Sequence, residues 1–169
     1  MGVGAKGSEH GDVAREAWAI LVGLSLAQRR VWLEAGAKEG LTPPQAITLM
    51  RLRPDTPPSL GDLARHMHCD ASYATALADR LEERGLVERR VSASDRRVRE
   101  LVPTPEGIAA QERLRAAFTT PPPGLDTLSE DDVQALMRIA EKLAEYADPD
   151  VAATLGIPLT PPAAAPAPR

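Results

Sequence analysis

Residues 60–107 read LGDLARHMHCDASYATALADRLEERGLVERRVSASDRRVRELVPTPEG, and the order of signals in this stretch decides the fold. Ser59-Leu60-Gly61-Asp62 opens a short helix that reaches about Met67. Asp70, a good N-cap, opens a second helix that continues through Leu77 and Leu81 to Gly85, its C-terminal stop. After Gly85 the pattern changes. LVERRV and VRELV are short β-compatible runs flanking Ser92-Ala93-Ser94-Asp95-Arg96, which reads as a two-stranded hairpin with a polar tip.

Working outward, Thr42-Pro43-Pro44-Gln45 is a helix start, with Thr42 as N-cap, proline at the first helical position and Gln45 closing a capping box. That helix runs to about Arg53, and Pro54 to Pro58 break it. From Asp12, the residues Val13, Ala17, Ile20, Leu21, Leu24 and Val31 fall at spacings of three and four, which predicts a long helix with one buried face. Trp18, Val22, Leu26 and Leu33 form a second apolar face, so this helix needs two partners, one of them from another chain. Downstream, Thr104-Pro105-Glu106 opens a helix that ends before Pro121–Pro123. Ser129 caps a last helix with Val133, Leu136, Ile139, Ala140 and Leu143 on its apolar side.

The first eleven residues contain four glycines and no periodicity, and 148–169 holds six prolines among 22 residues, so both ends are expected to be flexible. The organised domain is then 12–147, with a helix-turn-helix and hairpin at about 42–104 and outer helices at about 12–39 and 104–147. The expected class is mainly α with a small β-hairpin.

The 169 residues are 43% hydrophobic and 26% charged, the balance of one ordinary globular domain. No apolar run approaches the roughly 18–20 residues that span a bilayer, and the N-terminus lacks the apolar core of a signal peptide. One cysteine, Cys69, cannot form an internal disulfide. These observations point to a cytoplasmic protein. The net charge of −4 argues against indiscriminate coating of nucleic acid, but Leu86 to Arg99 carries five arginines against Glu88 and Asp95.

A short helix, a tight turn, a second helix and an arginine-rich hairpin make a winged helix-turn-helix. The second helix can enter the major groove, where base edges are distinguishable, and hairpin arginines can reach phosphates or a narrow minor groove.

Over Leu60 to Gly107 the chain resembles the MarR family (multiple antibiotic resistance regulator) of bacterial transcription regulators. The resemblance rests on the leucine-alanine start, the small-residue turn, the run DRLEERGLVERR, and SDRRVRELVPTPEG, which is similar to the family's wing pattern D-x-R followed by Thr-x-x-Gly. It implies a winged helix-turn-helix flanked by N- and C-terminal dimerisation helices. Ser72, Tyr73, Thr75 and Ala76 then stand where family members touch bases. Arg97 matches the minor-groove arginine, Asp95 the carboxylate that orients it, and Arg96 a phosphate contact; Arg80, Arg89 and Arg90 are further candidates.

Two positions depart from the commoner pattern. Ala71 to Ala76 contains no Arg, Lys, Asn or Gln, so bidentate base contacts are absent there and specificity is expected to lean on the wing and on DNA shape. Pro103 replaces the more usual leucine and is expected to loosen the last ladder bond of the wing.

His66, His68, Cys69 and Asp70 lie close together, but a small buried residue at 69 and a cap at 70 account for them better than a metal does. Redox sensing by Cys69 is disfavoured because a thiol packed in a turn reacts poorly. The resemblance implies small aromatic or anionic ligands between the first helix and the DNA-binding lobe, for which Arg15, Trp18 and His66 are candidates; core or dimer packing is the commoner fate of a tryptophan. No nucleophile with its base, phosphate loop or metal signature occurs. Glu82-Glu83 and Asp131-Asp132 point about 100° apart on a helix. The expectation is therefore a non-enzymatic regulator without cofactor: a homodimeric repressor on a pseudo-palindromic double-stranded DNA operator, relieved by a ligand. The alternative is a winged-helix module for protein contact with no operator of its own.

Overall fold

The computed structural model describes residues 4–147, with side chains from Glu9 onward. Its elements are α1 (Gly4–Lys38), α2 (Pro43–Arg51), α3 (Leu60–His66), α4 (Ala71–Glu83), β1 (Val87–Val91), β2 (Arg99–Pro103), α5 (Pro105–Phe118), a 3-10 turn (Leu125–Thr127) and α6 (Glu130–Ala144). It is mainly helical, with one two-stranded antiparallel hairpin. The proline-rich segment expected to be flexible, 148–169, lies outside the described residues, as do residues 1–3.

The local stops and starts are those the sequence encodes. Gln45 Oε1 accepts the Thr42 N–H at 2.9 Å. Ser59 Oγ accepts from the Asp62 N–H at 3.1 Å while Asp62 Oδ2 accepts from the Ser59 N–H at 3.1 Å, a reciprocal box on α3. Asp70 accepts from the Tyr73 N–H at 2.8 Å and caps α4. Leu86 N–H reaches back to the Leu81 carbonyl at 3.0 Å around Gly85, whose φ of 69° suits a residue without a Cβ. The same closure ends α3, where Cys69 N–H bonds the Ala64 carbonyl at 3.0 Å around His68, held at a φ of 49°. Histidine is one of the few side chains found there with any frequency.

The core lies in the central lobe. Leu49, Met50, Leu52, Leu63, Leu81, Val87, Leu101 and Leu114 are fully buried, so α2, α3, α4, both strands and α5 each contribute. Thr48 Oγ1, also buried, donates to Met67 Sδ at 3.1 Å. At the end of α2, before Pro54, the Leu49 carbonyl accepts the Leu52 N–H at 3.1 Å, and the buried Gln111 of α5 donates to the Leu49 and Leu52 carbonyls at 2.6 and 2.8 Å, which gives the Leu52 carbonyl a partner.

Three expectations change. The first helix begins at Gly4, not near Asp12, so the expected flexible stretch 1–11 is mostly helical; once downstream turns are formed, each added residue gains a bond at low cost even where glycine is frequent. The face Val13, Ile20, Leu21, Leu24 finds no cover among the described residues and is exposed, and so is Trp18 at 65%. Only the C-terminal end packs, with Trp32 stacked on Phe118 at 4.8 Å and Gln28 Nε2 donating to the Thr120 carbonyl at 3.1 Å. Pro103, finally, does not loosen the wing. Val87 faces Pro103, and the flanking bond runs from Thr104 N–H to the Leu86 carbonyl at 3.0 Å, which makes 87 and 103 a non-hydrogen-bonded pair. The nitrogen of Pro103 faces out of the ladder, where no donor is needed.

Candidate nucleic-acid interface

The site is assembled from α3, the turn, α4 and the hairpin. Ala74, Leu77, Ala78 and Leu81 turn inward from α4. Ser72, Tyr73, Ala76 and Arg80 lie exposed on the opposite side, with Thr75 at its edge. Four of these five stand on the N-terminal half of the helix, the part that enters a groove in helix-turn-helix proteins. Ser72 Oγ donates to Asp70 Oδ1 at 2.6 Å, and this bond, with the Tyr73 N–H, holds the Asp70 carboxyl below its ordinary value. The cap therefore stays ionised at neutral pH.

The wing is joined to α5 by a knot at its base. Thr104 Oγ1 donates to the Gly85 carbonyl at 2.6 Å and accepts from the Gly107 N–H at 3.0 Å. A Cβ on Gly107 would overlap the Leu86 carbonyl oxygen, so the glycine lets α5 lie directly against the start of β1. The Gly-Leu-Val run and the Thr-x-x-Gly run thus meet in space. On the outer side of β2, Leu101 N–H donates to the Pro58 carbonyl at 2.9 Å, which ties the loop before α3 to the wing.

The arginines divide by what holds them. Arg89 pairs with both Asp79, at 2.5 Å, and Glu82, and only 24% of its side chain is exposed. Its guanidinium is stabilised as a cation, chiefly by the bond to Asp79. Proposed from the sequence as a DNA contact, Arg89 is instead committed to a clamp between α4 and β1. Arg90 pairs with Glu88 on the same strand, and Arg80 with Glu83 at 2.9 Å; both remain exposed. Arg96, Arg97 and Arg99 project from the wing with no ion-pair partner among the described residues. Asp95 accepts the backbone N–H of Arg97 at 2.9 Å, so it fixes the main chain under Arg97 and not the guanidinium itself.

The lobe is bolted to the first helix by charges absent from the sequence reading. Arg84, at the end of α4, donates to the Glu39 carbonyl at 2.7 Å. The Glu39 carboxylate receives Arg113 of α5 at 2.7 and 2.9 Å, and Arg113 also reaches Glu106 at 2.8 Å. The Arg113 bond outweighs burial and lowers the Glu39 pKa. Spacing in sequence gives no hint of a link across 74 residues.

Of the ligand candidates, Arg15 pairs with Asp12 in solvent, while Trp18 and His66 are exposed. The structure does not gather them around a cavity. A cleft of about 340 Å³ lies elsewhere, between the end of α2 and α5, floored by Met50, Leu52 and Ile108 and edged by Arg53, Asp55 and Arg115. A second, of about 260 Å³, lies between α1 and α5 and includes Lys38, Glu39 and Arg113. Cys69 is half-buried against the core.

Residues 41–98 match the family model described as MarR. The HTH-type transcriptional repressor MdtR of Bacillus subtilis (strain 168) is 34% identical over 119 residues, covering 70% of this chain and 77% of that protein. Among solved structures, YusO of Bacillus subtilis superposes with a TM-score of 0.65 at 28% identity, over 81% of this chain and 98% of the other. A mutant of S. aureus MepR bound to an oligodeoxyribonucleotide gives 0.59 at 18% identity, over 77% and 96%, a likeness of fold. No helix among the described residues is long and apolar enough to cross a membrane. The outward face of α4, the basic wing and these likenesses together lead to one assignment: the chain belongs to the MarR family of DNA-binding transcriptional regulators.

Proposed function

We propose that this chain is a cytoplasmic, homodimeric repressor that binds a pseudo-palindromic operator and is released from it by a small aromatic or anionic ligand. The observation that carries the reading is the division of the arginines: Arg89 is consumed internally, whereas Arg96, Arg97 and Arg99 stand exposed on a hairpin beside an exposed helix face. Unpaired cations on a protrusion gain by displacing counterions from phosphate, and a wing built for protein contact gains little from them. Ser72, Tyr73, Thr75 and Ala76 would face the bases, Arg97 the minor groove, Arg96 the backbone, with Arg80 and Arg90 able to exchange weak surface pairs for phosphate. The relative named as a repressor supports the sign of regulation.

The dimer is supported by the apolar residues left uncovered on α1 and on α6, where Leu136, Ile139 and Leu143 are all exposed. For the effector, the cleft lined by Met50, Leu52 and Ile108, with Arg115 at its edge and Arg53 paired there with Asp55, is a more gathered site for a small ligand than Arg15, Trp18 and His66 are. A ligand there acts by its differential affinity for dimers whose lobes fit, or miss, half-sites about 34–36 Å apart.

The test is a titration of the purified protein against the DNA flanking its own gene, at two salt concentrations, with Arg97→Ala alongside. Tight, salt-sensitive binding is expected, with the substitution weakening it and reducing the salt slope by about one. Binding no better than to random duplexes, before and after selection from a random pool, would favour the protein-contact module.

A further inference from the structure

The DNA-reading proposal leaves open what α4 can read, and its hydrogen-bond ledger narrows that. The hydroxyl of Ser72 donates to Asp70 Oδ1 at 2.6 Å, and that of Thr75 to the Ala71 carbonyl at 2.8 Å. Both protons are engaged inside the chain, so donation by either hydroxyl to guanine O6 or N7 would exchange an internal bond. Farther along the exposed side, Asp79 is taken by Arg89, and Glu83 by Arg80. The Tyr73 phenol, on a residue 44% exposed, is left as the uncommitted donor on this half of the helix. What the surface otherwise offers is the acceptor lone pairs of the two hydroxyls and carbon: the Ala76 and Ala71 methyls, the Thr75 methyl and the Tyr73 ring.

To the carbon of such a surface a base pair presents one feature, the C5-methyl of thymine in the major groove. We propose that α4 specifies its half-site chiefly by apolar contact with thymine methyl groups, with the Ala76 methyl and the Tyr73 ring as the specificity-determining groups, and less by donation to guanine, for which the Tyr73 phenol is the donor left. The inference rests on the DNA-binding reading above. It also explains how a recognition helix without Arg, Lys, Asn or Gln in its first turns can distinguish A·T from T·A, which the minor groove does not allow.

The experiment begins with selection of a duplex by the full chain from a random pool. Each thymine of a half-site is then replaced in turn by deoxyuridine, which keeps every hydrogen-bonding group and removes only the methyl. At one or two positions per half-site the affinity is expected to fall about fourfold, the worth of one buried methyl group. Ala76→Gly is expected to abolish that loss at one of them, with a thermal melt confirming that α4 still folds. The uridine scan on the unaltered protein stands without the variant. Uridine tolerated at every position, or 7-deazaguanine costing more than uridine, overturns the inference and leaves the DNA-binding reading intact. A pool from which no duplex is enriched overturns both.

Discussion

The central lobe and the outer helices obey opposite rules. Between Leu41 and Leu114 most aliphatic residues are inside, α3, α4 and α5 each start on a side-chain cap, and the carbonyls at the end of α2 receive a buried glutamine. Along α1 before Val31, and along all of α6, no side chain of the described residues is buried, although both carry apolar residues at helical spacing. The first region closes its own accounts; the second presents faces that water does not favour. A lobe complete in itself can be moved as a body, and in the proposed dimer the outer helices would set where two such bodies stand.

Disrupting the complete half should have the largest effect. Gly107→Ala puts a Cβ into the Leu86 carbonyl, backbone against backbone, and is expected to cost at least about 3 kcal/mol in chemical denaturation. Survival of wild-type stability would mean that α5 is not seated against β1 as described. Arg89→Ala removes two pairs whose carboxylates are partly solvated and is expected to cost about 1 kcal/mol, whereas Arg97→Ala, on the exposed wing, should leave stability within about 0.5 kcal/mol. Equal effects would erase the distinction between clamp and contact.

The join between the halves has its own acid signature. Because the folded pKa of Glu39 is lowered, its contribution is fully present above the ordinary glutamate value near 4.5 and is lost as pH falls through the folded value. Wild type should therefore exceed Glu39→Gln in stability at neutral pH, with the gap closing below pH 4.5; a gap independent of pH would remove the Arg113 pair from the account. The smallest effect on the lobe is expected from Leu136→Asp with Ile139→Asp on α6. Hydrogen exchange of α4 amides should be unchanged in the isolated chain, while sedimentation shifts from dimer to monomer. Slowed or quickened exchange in α4 would show that the two halves are not separate.

Most of the fold was legible because its punctuation is local. Asp70, Gly85, the prolines and Thr104 as a cap on Gly107 each act within about one helical turn, and a single sequence displays such signals in full. The ion pairs of Arg89 were not legible for the converse reason: Asp79 and Glu82 meet it only after Gly85 folds β1 back toward α4, and an arginine in the sequence carries no mark of its partner. Pro103 was misjudged because ladder parity depends on which strand residue pairs first, and the Leu86–Thr104 pair is set by tertiary contact. The long-range groups Gln111, Arg84 and Arg113 had no local signal at all. Arg15, Trp18 and His66 were chosen by residue type and helical position, and type alone does not place a side chain beside a cleft.

The most direct test of the account is the stoichiometry and footprint on a selected duplex. Two chains per duplex are expected, protecting two half-sites centred about 10–10.5 base pairs apart, with Arg97→Ala losing protection in the flanking minor grooves first. One chain per duplex, or uniform protection without half-sites, would contradict the claim that a self-contained lobe reads DNA while the outer helices set its spacing.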